Sequence, residues 1–319
     1  MSKQVDRALA WRQGGGMDIT RHLRILEPAP GILAFYDGRV PGHRFAAQDN
    51  WVDDGALSLG IASYAVISGD AALVYDTQVS VPHAARVRAA LAARGVTRLR
   101  VVLSHWHLDH VAGTQAFAGA KVIANARTLA HLTRRQAAIQ EGSDHGWPPI
   151  CPLVLPDITF SGEMRLQVGT RQVTLIEANI HSDDATVLWL PDEGILLAGD
   201  TVEDCVTYVG APEQFATHLA DLDRLAALKP GHVLPCHGDP DVIAAGGYSA
   251  DLLAATARYI RWLQRLDADP ALATTPLRDV IAADLASGTL HWFAPYEAVH
   301  QQNIARTLAQ RHRPDNPGV

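Results

Sequence analysis

The alternation of apolar and polar positions predicts that the chain opens with β-strands. SYAVIS (63–68) and AALVYD (71–76) are apolar runs of strand length, and the pair Gly69-Asp70 stands between them. A Gly-Asp pair between two such runs is typical of a tight turn, so this stretch is predicted to be a β-hairpin. VPHAARVRAALAARG (81–95) then shows helical spacing of its apolar residues, and RLRVVLS (98–104) has the pattern of a buried strand.

A second β-rich stretch repeats this order of elements farther along the chain. A helix is predicted over 126–140, and MRLQVG and QVTLIEA form a second hairpin around a Thr170-Arg171 turn. The remaining predicted elements, in chain order, are the strands 186–191 and 195–200, the amphipathic helix 212–228 and the strand 232–239. Two β-rich halves that each close with a helix and a strand indicate two stacked sheets with helices outside, an α/β arrangement.

Glycines mark two places where the organisation of the chain is predicted to change. Gly14–Gly16 are typical of a flexible joint, and Gly246-Gly247 precede a helical region. The predicted helices of that region lie near 248–267, 276–286 and 295–311. We therefore divide the chain into a flexible segment (1–16), a main domain (17–247) and a C-terminal helical extension (248–319).

Composition and charge narrow the classes of function. The chain is 48% hydrophobic and 19% charged, as in an ordinary folded protein. The formal net charge of -7 offers no general basic surface for a nucleic-acid backbone, so we expect a small-molecule substrate. No apolar run approaches the ~20 residues of a membrane span, and three scattered cysteines indicate neither a disulfide framework nor a zinc-thiolate site. We expect a cytoplasmic protein without nucleic-acid or membrane partners, and the oligomeric state stays open, a homodimer included.

The strongest chemical signal is the hexad HWHLDH (105–110), which directly follows a predicted strand and holds four potential metal ligands. In an extended chain, residues two apart point to the same side, so His105 and His107 can face one ion. The turn that follows can direct Asp109 and His110 to a neighbouring ion. Imidazole and carboxylate ligands together suit Zn²⁺, with iron, manganese or cobalt as alternatives. One segment can therefore serve two metal ions.

Three further candidate ligands stand at the ends of predicted strands. His181 follows QVTLIEANI, Asp200 ends ILLAGD, and His237 follows HVLPC. Ligand sites of layered α/β proteins form where strands end, so these residues are predicted to meet. A lone histidine in a loop is more often a surface residue than a ligand. It is the hexad that makes His181 and His237 candidates.

In their order along the chain, the hexad, His181, Asp200 within LLAGD and His237 within CHGD resemble the motifs of the metallo-β-lactamase superfamily. The resemblance spans roughly residues 57–240 and implies an αββα four-layer sandwich with the C-terminal helices as an extension of this catalytic domain. The implied ligands are His105, His107 and His181 for the first metal, Asp109, His110 and His237 for the second, and Asp200 as a bridge. Asp76 stands where the family commonly has a supporting aspartate, and a strand-end cap is the alternative interpretation.

The implied pair of metal ions determines the expected chemistry. Two ions about 3.5 to 4 Å apart lower the pKa of a water towards neutrality and polarise the bond to be cleaved, so hydroxide becomes the nucleophile. Asp109, a ligand with a second oxygen, is predicted to move a proton to the leaving group as general acid and base. Many lactonases of the family carry a tyrosine shortly after the bridging aspartate. Tyr208 is therefore a candidate for contacting the substrate, and because the spacing differs, packing is the alternative.

The bridging aspartate distinguishes between branches of the family. Enzymes that hydrolyse β-lactams usually lack it, so Asp200 argues against a β-lactamase and favours an ester-like bond, a lactone or a thioester. A phosphodiester or organophosphate hydrolase stays an alternative. A second alternative is a sulfur dioxygenase with one iron held by a subset such as His105, His181 and Asp200. The presence of the other candidate ligands favours two metals.

Two features separate the chain from a close glyoxalase II assignment. Ser182-Asp183-Asp184 stands where many relatives follow the His181 position with a Pro-Gly-His stretch. A helical extension is shared with glyoxalase II, but it shows no distinct cationic cluster for glutathione carboxylates. Within it, the aromatic residues Trp292, Phe293 and Tyr296 either form an apolar wall over the metal cleft or pack the extension onto the domain.

Overall fold

The computed structural model describes residues 18–310, so the predicted flexible segment 1–16 lies outside the described residues. Within this range the chain forms two β-sheets. The first sheet contains, in spatial order, β1 (Arg24–Ala29), β2 (Ile32–Asp37), β3 (Ile61–Ser68), β4 (Ala71–Tyr75), β5 (Arg98–Val102), β6 (Lys121–Asn125) and β7 (Ile158–Phe160). The second contains β12 (His232–Pro235), β11 (Ile195–Gly199), β10 (Thr186–Leu190), β9 (Arg171–Glu177) and β8 (Glu163–Val168).

Both sheets are mixed. Strands β1 to β4 pair antiparallel and β4 to β7 parallel, while β8 to β11 form an antiparallel meander to which β12 adds in parallel. Ser68 pairs with Ala71, so the hairpin at Gly69-Asp70 is confirmed. In the second hairpin Val168 pairs with Arg171, so the turn consists of Gly169 and Thr170 and the predicted Thr170-Arg171 turn was wrong by one residue. Gly169 takes a φ of +55°, a conformation that glycine adopts without strain.

Helices connect strands within both sheets, and further helices follow the last strand. The helices are α1 (Val81–Ala93), α2 (Leu108–Val111), α3 (Ala126–Glu141), α4 (Phe215–Ala226), α5 (Pro240–Ala244), α6 (Asp251–Arg265), α7 (Leu277–Val280), α8 (Ala282–Ala286) and α9 (Tyr296–Gln310). The predicted helix 212–228 begins instead with a 3₁₀ turn, Pro212–Gln214, and the predicted helix 276–286 is broken into α7 and α8.

The hydrophobic residues divide into layers. Val74 of the first sheet packs in one buried cluster with Leu91 of α1 and Leu132 of α3, which places these helices on its outer face. A second cluster joins the first sheet to Leu188 of the second sheet and to Ile260 of α6. The order helix, sheet, sheet, helix is therefore an αββα sandwich, and the predicted fold is confirmed.

Buried tyrosines connect the two sheets by hydrogen bonds. Tyr64 donates its hydroxyl to the carbonyl oxygen of Pro235, and Tyr75 donates to that of Thr186, each at 2.5 Å. Both tyrosines are fully buried. A buried hydroxyl without a hydrogen-bond partner lowers the stability of the folded protein. These bonds therefore favour one relative position of the two sheets.

The C-terminal helices pack against the second sheet. Tyr248, just before α6, forms a backbone bridge with Val233 of β12, with N–O distances of 2.8 and 2.9 Å. Ile260 of α6 and Tyr296 of α9 lie in the same buried cluster as the second sheet. The boundary at 247/248 stays a prediction. No helix among residues 18–310 is both long and apolar enough to cross a membrane.

A buried histidine on α4 gives the fold a testable pH dependence. His218 is 1% exposed, and burial lowers its pKa to about 4. The unfolded chain binds this proton near pH ~6.5, so the stability contributed by neutral His218 is complete above that pH and is lost as the pH falls towards 4. We therefore compare the free energy of unfolding of metal-free His218→Leu with that of the metal-free wild type. We expect the difference to shift by about 2 kcal/mol in favour of the variant when the pH is lowered from about 7 to 5.

Urea unfolding of both proteins at the two pH values measures this difference. Comparison of the two proteins cancels the acid sensitivity of the other groups, because these are the same in each. An advantage of the variant that does not change with pH would show that His218 takes up its proton equally in the folded and unfolded states.

Candidate metal centre

The candidate ligands extend from the ends of strands in both sheets. His105 follows β5 of the first sheet, whereas His181, Asp200 and His237 follow β9, β11 and β12 of the second. The short helix α2 begins inside the hexad and carries Asp109 and His110. The site therefore lies where strands of both sheets end, and it draws on both halves of the chain.

The first group of ligands consists of three histidines beside Asp200. His107 Nδ1 lies 2.8 Å from His105 Nε2 and 2.9 Å from His181 Nε2. The Oδ2 atom of Asp200 lies 3.7 Å from His105 Nε2 and 3.6 Å from His181 Nε2. One ligand atom from each of the four residues lies within 4.8 Å of the others, a spacing suited to a single ion.

The second group consists of Asp109, His110 and His237. Asp109 Oδ2 lies 3.6 Å from His110 Nε2 and 3.4 Å from His237 Nε2. Asp200 Oδ2 lies 3.1 Å from His110 Nε2 and 3.5 Å from His237 Nε2. Asp200 is thus shared by the two groups. All seven residues predicted as metal ligands lie together, and their binding of metal stays a prediction.

The remaining ring nitrogens of three histidines are held by the protein. His110 donates its Nδ1–H to Asp76 Oδ2 at 2.8 Å, and Asp76 Oδ1 accepts the backbone N–H of Ser104 at 2.7 Å. His181 Nδ1 donates to the carbonyl oxygen of Tyr208 at 3.0 Å, and His237 Nδ1 to that of Gly60 at 2.6 Å. These contacts place a proton on Nδ1, so Nε2 is the atom of each ring that would bind a metal ion. Asp76 both caps the strand end and supports a candidate ligand.

Two of these residues have unusual backbone angles. Asp76 and His181 each have a φ of 66°, in the left-handed region that costs a non-glycine residue about 1 kcal/mol or more. Strain of this kind concentrates at functional sites.

The first group fits a cation. Burial, followed by the neighbouring histidines, lowers the pKa of His105 and His107 well below the usual range, and burial lowers the pKa of His181. The three rings are therefore neutral, and their nitrogens converge on a small volume. Neutral imidazoles grouped in this way are the usual ligands of a metal cation. Asp200 Oδ1, which is buried and makes no hydrogen bond with the described residues, is a further unsatisfied donor atom for such a cation.

In the second group the two carboxylates determine the protonation of the histidines. Burial opposes protonation of His110 and His237, but Asp200 and Asp109 raise both pKa values well above the usual range. Burial likewise opposes ionisation of Asp109, yet His110 and His237 lower its pKa to about 2. Two carboxylates thus attract positive charge to this point, and a divalent cation satisfies them as protons do.

Tyr208 contributes its backbone more directly than its side chain. Its ring centroid lies 6.2 Å from that of His181, and the guanidinium of Arg306 lies 4.3 Å above the Tyr208 ring. The carbonyl oxygen of Tyr208 is the atom that contacts His181. A contact between its hydroxyl and a substrate stays a prediction.

The aromatic residues of the extension separate into two roles. Tyr296 is fully buried and packs the extension onto the domain. Phe293 lines a cavity of about 370 Å³ together with Leu57 and Arg39, whose guanidinium lies 4.2 Å from the Phe293 ring. Trp292 and Phe293 are both half-buried against the same cluster as Tyr296, and of these two Phe293 is the one that lines the cavity.

Glu203 is a residue near the site that the sequence interpretation missed. It is 2% exposed, its Oε1 lies 3.8 Å from His181 Nδ1, and burial raises its pKa to about 7. The available signal was the acidic pair Glu203-Asp204 a few residues after Asp200. Charged residues seldom occupy fully buried positions without a partner.

Comparisons with known proteins agree with this geometry. The chain is 28% identical to hydroxyacylglutathione hydrolases of Rhodobacter capsulatus, over 67% of this chain and 78% of that protein, and of Cereibacter sphaeroides, over 55% and 62%. It thus spans less than two thirds of the second relative.

A metallo-beta-lactamase from Pontibacter korlensis superposes with a TM-score of 0.57 at 17% identity, covering 75% of this chain and 99% of that one. The family model for the metallo-beta-lactamase superfamily matches residues 58–237, more than half of the chain. The chain therefore belongs to the metallo-beta-lactamase superfamily.

Proposed function

We propose that this chain is a dinuclear metal-dependent hydrolase that cleaves an ester-like bond, a thioester or a lactone, in a small molecule. The observation that carries the proposal is the position of Asp200, whose Oδ2 lies within 3.7 Å of ring nitrogens from both ligand groups. A carboxylate shared by two ligand groups suits a pair of ions. Zinc is the first candidate because the donors are imidazoles and carboxylates. Neither nucleic acid nor membrane is proposed as a partner.

Two divalent ions held by the seven candidate ligands would supply a water of lowered pKa and polarise the carbonyl group of the substrate. The protein holds the ligands in place. The carbonyl oxygens of Tyr208 and Gly60 orient the rings of His181 and His237, and Asp76 orients His110. Rings held in this way need little rearrangement when metal binds.

Asp109 is the residue to which we assign proton transfer. Its side chain is 18% exposed, whereas that of Asp200 is 4% exposed, so a substrate reaches Asp109 from the solvent side. Its Oδ2 faces His110 and His237. We assign to Oδ1 the uptake of a proton from the attacking water and its delivery to the leaving group.

The named relatives favour a thioester. Hydroxyacylglutathione is a thioester, and the two relatives that carry this name align with this chain at 28% identity. The solved metallo-beta-lactamase, at 17% identity, supports the fold and carries no argument on substrate. The presence of Asp200 argues against β-lactams, since enzymes of that activity usually lack the bridging aspartate.

The proposal is tested by metal content and substrate turnover measured on one preparation. We expect protein purified without added metal to contain about two zinc or similar ions per chain and to hydrolyse thioesters or lactones. Treatment with a chelator should abolish turnover, and added Zn²⁺ should restore it. Elemental analysis and a panel of thioester, lactone and phosphodiester substrates provide both measurements.

Two outcomes would contradict the proposal in different ways. Turnover of phosphodiesters alone would retain a hydrolase and replace the substrate class. One iron per chain with oxygen uptake and no hydrolysis would assign the chain to redox chemistry.

A further inference from the structure

The segment 203–209, which follows Asp200, is hydrogen-bonded to the C-terminal extension. Asn303 of α9 accepts the backbone N–H of Val209 at 2.8 Å and donates to the carbonyl oxygen of Thr207 at 3.0 Å. Tyr296, at the start of the same helix, donates its hydroxyl to Glu203 Oε2 at 3.0 Å. A helix far along the sequence therefore makes side-chain contacts with both ends of the segment 203–209.

Glu203 is the centre of these contacts. Its Oε1 accepts the hydroxyl of Thr207 at 3.2 Å and the backbone N–H of Tyr208 at 3.3 Å, while Oε2 accepts the hydroxyl of Tyr296. Both oxygens of this buried carboxylate thus have partners. A carboxylate that accepts several hydrogen bonds in a buried place holds its partners in one arrangement.

The partners of Glu203 lead directly to candidate metal ligands. Thr207 shares its hydroxyl proton between the carbonyl oxygen of Asp200, at 2.6 Å, and Glu203 Oε1, at 3.2 Å. Tyr208 donates its N–H to Glu203 and accepts the Nδ1–H of His181 through its carbonyl oxygen. Displacement of Glu203 would therefore shift the atoms that orient both His181 and Asp200.

We propose that Glu203, held by Tyr296 of the extension, is a positioning residue that sets the affinity of the first metal group. The inference rests on the proposed metal centre, and it assigns a role in that centre to the extension. Mutation of a residue that hydrogen-bonds to a metal ligand typically lowers metal affinity by ~10- to 100-fold. Glu203 acts one step farther out, through Thr207 and Tyr208, so its effect is expected towards the lower end of that range.

The test is a calorimetric titration in which Zn²⁺ alone is added to metal-free protein and the zinc affinity is measured. Glu203→Ala removes every contact of the carboxylate, and we expect it to weaken the affected zinc site by roughly 10-fold or more. Tyr296→Phe removes one contact and should weaken it less. Glu203→Gln keeps an acceptor for Thr207 and Tyr208 and should restore most of the affinity lost in Glu203→Ala.

The matched control is Thr256→Val. Thr256 is also buried in the extension, and its hydroxyl donates to the carbonyl oxygen of Leu252 at 3.1 Å, a bond that lies within α6. Tyr296→Phe and Thr256→Val each lose one buried hydroxyl of the extension, so a merely structural effect should appear in both. We expect Thr256→Val to bind zinc as the wild type does.

Three results would overturn the inference. These are wild-type zinc affinity in Glu203→Ala, equal zinc affinity in Tyr296→Phe and Thr256→Val, and a loss in Glu203→Gln as large as in Glu203→Ala. If Glu203→Ala fails to fold by circular dichroism, Tyr296→Phe and Glu203→Gln decide the question. Since zinc affinity is measured without substrate, failure here is distinguishable from failure of the proposed hydrolysis.

Discussion

Asp200→Asn is expected to lower the metal content from about two ions per chain to one or none, and to reduce ester hydrolysis by more than ~100-fold. The Oδ2 atom of Asp200 lies within 3.7 Å of His105, His110, His181 and His237, and its Oδ1 has no hydrogen-bond partner among the described residues. Asparagine keeps the shape of the side chain but removes the charge shared by both ligand groups. Elemental analysis and initial rates on the best ester substrate measure the two effects.

Asp37→Asn is the matched control for this change. Asp37 is also fully buried and pairs with a histidine, His83, at 3.1 Å, outside the ligand groups. It should retain the wild-type metal content even if it lowers stability. Two ions per chain in Asp200→Asn would show that Asp200 does not bridge the groups.

Asp109→Asn is expected to retain more metal than Asp200→Asn, yet to reduce kcat by ~10²- to 10⁴-fold, the range for loss of a general acid or base. The reason is the position of the side chain, which is 18% exposed and lies against only the second group. The amide side chain cannot take up the proton of the attacking water at neutral pH. Rates should be measured with saturating Zn²⁺, so that lost metal does not limit turnover.

The pH profile separates proton transfer from ligation. If Asp109 moves the proton, the asparagine variant should lose one limb of the profile of kcat that the wild type shows. If metal content and kcat fall in the same proportion and the profile keeps its form, Asp109 serves as a ligand alone.

The ligands were predictable from the sequence because their signals are local. The hexad places four donors within six residues, and the period of an extended chain puts His105 and His107 on one side. The strand ends before His181, Asp200 and His237 are visible as apolar runs. The two sheets were likewise predictable, because the order of strands and helices repeats.

The contacts that orient the ligands were not predictable, because they join distant parts of the chain. Tyr296 meets Glu203 across 93 residues, and His237 meets Gly60 across 177. No spacing rule relates such pairs. Tyr208 illustrates the same limit, because the contacts of its carbonyl oxygen with His181 and of its ring with Arg306 had no signal in the sequence.

The division of the ligands between two sheets links metal occupancy to thermal stability. His105 and His110 belong to the half of the chain that forms the first sheet, and His181, Asp200 and His237 to the half that forms the second. Ions bound at this junction would act as cross-links between the halves, holding segments together as the hydroxyls of Tyr64 and Tyr75 already do. A ligand that binds only the folded state raises the melting temperature with its free concentration. The free zinc concentration would thereby set the temperature at which the two docked sheets come apart.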